Sequence, residues 1–117
     1  MRMILMFDLP MKTKKERHIY TTFRKFLLKR GFFALQFSVY SKIFANRDAA
    51  INEKEVIRKV VPEKGNIRIM IVTEKQYANI EIIIGGKSNQ EKLITEEVLL
   101  ILWWERLQLK TWMIKLI

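Results

Sequence analysis

Met3-Ile4-Leu5-Met6-Phe7-Asp8-Leu9-Pro10 is the stretch on which the fold turns. Five apolar residues run unbroken into an acid, and Pro10, which has no amide to donate, ends the strand just beyond. A surface strand would alternate, so a run this apolar predicts a central strand buried on both faces. Asp8 at its mouth then needs a partner, a metal or water, because burying an unpaired carboxylate costs several kcal/mol.

Outward from this strand, Thr13-Lys14-Lys15-Glu16 reads as a capping box that opens a helix. Ile19, Phe23, Phe26 and Leu27 recur at helical spacing with Tyr20 beside them, and Gly31 is placed to terminate a helix over 14–30. Lys15, His18, Thr22, Lys25 and Lys29 form the stripe facing away. Phe32 to Phe44 reads as one long strand, with Phe33, Leu35, Phe37, Val39 and Ile43 toward the helices and Gln36, Ser38, Tyr40 and Lys42 on the other face. Asn46 caps a second helix, Arg47 to Val61, with Ala49, Val56, Ile57 and Val60 inward and Pro62 as its stop.

Ile67 to Thr73 and Gln76 to Ile84 read as two further strands, the second broken by Gly85-Gly86. Lys87 to Thr95 is a polar connector, and Val98 to Leu102 a fifth strand too apolar for an exposed edge, so that a neighbouring subunit is its natural partner. The expected architecture is an α+β, ferredoxin-like βαββαβ sandwich with an extra C-terminal strand. Residues 1–102 form this domain, and 103–117 form an apolar extension.

Half of the 117 residues are hydrophobic, which suits a single folded domain with one modest core. The absence of cysteine excludes a disulfide scaffold and any thiolate metal site, and suits a reducing cytoplasm. No signal peptide is expected, and Val98 to Trp104, the longest apolar run, is far short of the roughly 20 residues of a membrane span.

Charge is the strongest functional signal. The formal net charge is +10, and Lys12, Lys14, Lys15, Arg17, Arg24, Lys25, Lys29 and Arg30 stand against Glu16 alone between residues 12 and 30. Such concentration is the footprint of a polyanion ligand, nucleic acid first and anionic membrane second, with a solvated basic helix as the bland alternative. Catalytic motifs are few. His18 has no second ligand at metal spacing, Gly85-Gly86 lacks the rest of a phosphate loop, and no serine triad can be assembled. Asp8 remains: either a Mg²⁺ ligand, which needs a second carboxylate such as a dimer supplies, or a turn carboxylate bonding the amides after Pro10.

Asp8-Leu9-Pro10, the basic helix, Gly31-Phe32 leading to Leu35-Gln36-Phe37-Ser38-Val39-Tyr40, and Gly65-Asn66-Ile67-Arg68 leading to Val72-Thr73 together resemble CRISPR-associated protein two, the smaller subunit in spacer acquisition. Gln36 to Tyr40, Thr73-Glu74-Lys75-Gln76 and Ile84-Gly85-Gly86-Lys87 look most like versions from single-effector (type II) systems. The resemblance covers about residues 2 to 102. It implies a ferredoxin-like homodimer with facing sheets and an exchanged C-terminal strand, bridging dimers of a larger integrase, CRISPR-associated protein one, on double-stranded DNA. It also implies a Mg²⁺-dependent nuclease in which Asp8 of both subunits is catalytic and binds the metal.

The expected role is therefore a cytoplasmic DNA-binding scaffold, with the nuclease as second reading. Lys12, Lys14, Lys15 and Arg17 are the leading phosphate contacts, followed by Lys42, Arg47 and Arg68. A general RNA-binding module comes last, because Ile67 to Val72 carries no aromatic residue for base stacking. The extension, with Trp103, Trp104 and Trp112, has no place in that pattern; its candidate roles are covering the dimer, docking the integrase, or lying on a membrane.

Overall fold

The computed structural model describes the backbone of residues 1–87 and 89–116, and the side chains of 1–87 and 91–106. Strand β1 (Arg2–Asp8) is central, as its apolar run requires, and pairs antiparallel with two neighbours. It is followed by α1 (Lys14–Lys29), β2 (Phe33–Gln36), β3 (Val39–Ile43), α2 (Arg47–Arg58), β4 (Asn66–Val72), α3 (Glu74–Ala78) and α4 (Asn89–Leu116). The sheet order is β2-β3-β1-β4, and βαββαβ connectivity in that order is the ferredoxin-like arrangement. The α+β expectation holds, although its strands are made differently.

Phe32 to Phe44 is a hairpin instead of one strand. Phe37 and Ser38 turn the chain, Ser38 at φ 59°, and the register shifts between Ala34 and Gln36. The turn reverses the expected faces. Tyr40 lies opposite Leu5 and is buried with the helices, whereas Phe33 lies opposite Ser41 on the second face. Alternation misled because Tyr40 and Lys42 bury long apolar parts behind their polar tips.

Gln76 to Ile84 is not a strand either. Thr73 Oγ1 accepts from Gln76 N at 3.1 Å and Gln76 Oε1 accepts from Thr73 N at 2.9 Å, so a capping box starts α3 where strand was expected. Val98 to Leu102, expected as a fifth strand, lies inside α4. Five apolar residues suit either state; uninterrupted helix formers on both sides, with no glycine or proline from 89 to 116, decide for helix.

Two compact units result, Met1–Gly86 and Lys87–Ile117. In the first, Met3, Leu5 and Phe7 of β1 meet Tyr20, Phe23 and Leu27 of α1 and Ala50 and Ile57 of α2. Phe7 anchors this layer, edge-on to Phe23 at 5.4 Å and stacked near Tyr40 at 5.7 Å, and such pairs add about 0.5–1.5 kcal/mol each beyond area burial. Of the predicted inward residues of α2, Ile57 is buried and Ala49 and Val56 half-buried, but Val60 is exposed beyond the helix end. The second unit is α4. Among the described residues no helix is long and apolar enough to cross a membrane.

Candidate nucleic-acid interface and the Asp8 site

Pro10 frees the end of β1, and Asp8 emerges there exposed, level with Asn66 of β4. Gly65 makes this junction possible. It holds φ +108°, and a Cβ on it would lie 2.6 Å from the Asp8 carbonyl oxygen and 2.7 Å from Leu9 Cδ2. The register also sets Arg68 opposite Met6, so Asp8, Asn66 and Arg68 share the face away from the helices. They line a shallow depression of about 360 Å³ with Met6, Phe7, Phe37, Ser38 and Val39.

Among the described residues the Asp8 carboxylate makes no hydrogen bond or ion pair, and it does not hold the amides after Pro10. Nor do three acidic, histidine or cysteine side chains gather anywhere among them as a metal cluster. One chain thus offers a hard cation one free carboxylate. Mg²⁺ is usually held by one or two carboxylates with water and phosphate oxygens, so the donor chemistry fits when a second Asp8 comes from another copy.

The cations divide by commitment. Lys12, Lys14 and Lys15 are exposed at the start of α1, where the helix dipole favours acids and three lysines bring no local stability. Glu16 offsets only one of the three: its carboxylate accepts from Thr13 N at 2.9 Å, and that bond holds it below the usual carboxylate range and so keeps it charged. Arg17 is turned back, its Nη1 donating to the carbonyls of Met11 at 3.3 Å and Lys12 at 2.9 Å, which fixes the lysine-bearing loop. Arg47 is exposed at the first turn of α2, and Arg68 is exposed beside Asp8.

Lys42 is half-buried, 3.7 Å from Glu53 Oε2 and over the rings of Phe32 and Phe44. Glu53 also accepts from Arg30 Nη2 at 3.0 Å, and chiefly through Arg30 its carboxyl is held below the ordinary range. Sequence reasoning missed this cluster, and with it Arg2. That residue is fully buried, bonded by Nε and Nη2 to Glu74 at 2.9 Å each, with its guanidinium 3.5 Å from the Tyr77 ring centre. The missed signal was Thr73-Glu74-Lys75-Gln76, another capping box.

A family model described as CRISPR associated protein Cas2 matches residues 1–80. A Treponema denticola protein is 48% identical over 105 residues, covering 87% of this chain and all of its own length. A Streptococcus mutans relative is 49% identical, covering 74% of this chain and 80% of its own, and a Campylobacter jejuni relative is 44% identical, covering 82% and 67%. All three are named CRISPR-associated endoribonuclease Cas2. The crystal structure of Streptococcus pyogenes Cas2 at pH 6.5 superposes with a TM-score of 0.55 at 15% identity, covering 71% of this chain and 99% of that one, a likeness of fold. With the matched region spanning the whole βαββ layer, α2 and β4, the chain belongs to the Cas2 family of CRISPR-associated proteins.

Proposed function

We propose that the protein acts in spacer acquisition as a homodimeric, cytoplasmic scaffold that holds double-stranded DNA and bridges dimers of the larger integrase. The observation carrying this reading is the exposed lysine array Lys12, Lys14 and Lys15 at a helix start, where folding gives no reason for it. These lysines, with Arg47 and Arg68, contact phosphates without reading sequence. Arg17 acts by fixing their loop. Dimerisation brings two sheet faces together, and the exposed Met70 is available for that contact.

A second reading is favoured by the free Asp8 carboxylate beside Arg68 and by the relatives' endoribonuclease names. Two copies of Asp8 hold Mg²⁺, which when bound supplies charge neutralisation at a phosphodiester and an activated water. Arg68 positions the phosphate, and the depression leaves the strand accessible.

Integration of a spacer by the purified integrase, with wild type or Asp8→Ala, separates the two. Both proteins are first checked as dimers on DNA. Equal integration supports the scaffold; loss of integration with dimer and DNA binding intact moves the assignment to Asp8 chemistry. RNA cleavage with and without Mg²⁺, on the same two proteins, tests the nuclease directly.

A further inference from the structure

We infer, as a step that rests on the nuclease reading of Asp8, that Phe37 is a stacking platform for one unpaired nucleobase of the strand bound there. Every other aromatic side chain of the first unit is buried or half-buried, whereas Phe37 is 77% exposed. Tyr20 lies against one face of its ring, with centroids 6.1 Å apart and planes 21° from parallel, and the exposure leaves the other face to solvent. The tip that carries the ring is fixed on two sides. Phe7 N donates to the Ser38 carbonyl at 3.0 Å, and the Tyr20 and Ser38 hydroxyls share a hydrogen bond at 3.3 Å. Ser38 keeps its left-handed φ between these two bonds, so the ring is presented on a firmly held turn.

The neighbours of the ring identify what it takes. Phe37 lines the same depression as Asp8, Asn66 and Arg68, so an aromatic face, an acid, an amide and a guanidinium share one surface. Asp8, Asn66 and Arg68 sit on the sheet face away from the helices, whereas Phe37 leans on Tyr20 of the helix layer. It therefore stands at the end of the sheet, outside the face that pairing of two copies would cover. A phosphodiester chain offers a phosphate to Arg68 and a neighbouring base to Phe37, and a π face accepts any base, so the contact carries little sequence preference. Bases inside a duplex are stacked on both sides and offer the ring nothing, which makes a single strand the class of ligand. Ile67 to Val72 lacks an aromatic residue, and the turn between β2 and β3 supplies the one that strand does not.

Binding of fluorescent oligouridine and oligothymidine to the full-length protein in EDTA, where no strand is cut, tests this by anisotropy. Phe37→Ala and Phe37→Leu should each bind about tenfold more weakly than wild type, and Phe37→Trp as tightly or more so. Leucine keeps the apolar cover over Tyr20 and removes only the π face, which separates stacking from a folding defect. On an abasic DNA strand of equal length all four proteins should bind alike, and duplex affinity should not change. The loss should appear with both sugars; a loss confined to one gives the platform to that nucleic acid alone. Equal binding by wild type, Phe37→Ala and Phe37→Leu, an equal loss on the abasic strand, or a fall in dimer content in sedimentation that accounts for the loss would overturn the inference. RNA cleavage with Mg²⁺ reads the nuclease separately. Wild-type cleavage with no effect of Phe37 on binding keeps the Asp8 chemistry and removes the platform, whereas the affinity difference without any cleavage keeps the platform and removes the nuclease.

Discussion

Gly65 sets where Asp8 stands, because the start of β4 passes too close to the Asp8 carbonyl for any side chain. Gly65→Ala should lose about 2–4 kcal/mol, combining a positive-φ penalty with a backbone clash, and urea unfolding would read it as a lower midpoint. Ser41 makes the opposite case. Its hydroxyl is buried with no hydrogen-bond partner among the described residues, so Ser41→Ala should be neutral or stabilising by about 1 kcal/mol in the same experiment. Glu53 makes stability depend on acid. Its folded pKa is depressed by Arg30 and Lys42, so its contribution is full above the unfolded value, about 4.3, and is lost as pH falls through the lower folded value. Glu53→Gln should therefore flatten the acid limb of a stability-against-pH curve while lowering the plateau at neutral pH. An unchanged acid limb would remove Glu53 from the account.

At the scale of elements, the two capping boxes show how far local chemistry could be read. Thr13 with Glu16 announced α1 from sequence, and the structure contains both reciprocal bonds, at 2.9 and 3.1 Å. Thr73 with Gln76 carried the same signature, yet the isoleucines that follow drew the reading toward strand. Those isoleucines, at 80, 82, 83 and 84, are exposed outside any helix or strand. The hairpin was hidden for another reason: Ser38 adopts a left-handed φ that no glycine or asparagine at that position advertised. The place of Asp8 at the end of β1 was legible from the strand alone, but its exposure was not, and its neighbour Arg68 required the β1–β4 register, a long-range fact. The lysines of α1 yield an element-scale test. Replacing Lys12, Lys14 and Lys15 by alanine should reduce the slope of log affinity for duplex DNA against log salt by about 3 and leave thermal stability unchanged or slightly raised.

Across the whole first unit, Arg2 and Glu74 tie the start of β1 to the helix that follows β4, with Tyr77 covering the guanidinium. Glu74→Ala removes both of these bonds from a buried guanidinium and should destabilise the unit by about 1.5–3 kcal/mol in thermal unfolding, without altering duplex affinity. A variant as stable as wild type would show that the clamp is dispensable. The sheet order carries a further consequence for how the molecule is made. β1 leaves the ribosome first but sits between β3 and β4, so the most apolar strand waits for partners more than thirty and sixty residues behind it. During that interval a hydrophobic strand has two unpaired edges, and slow translation between β3 and β4 would lengthen its exposure to chaperones and to other nascent copies.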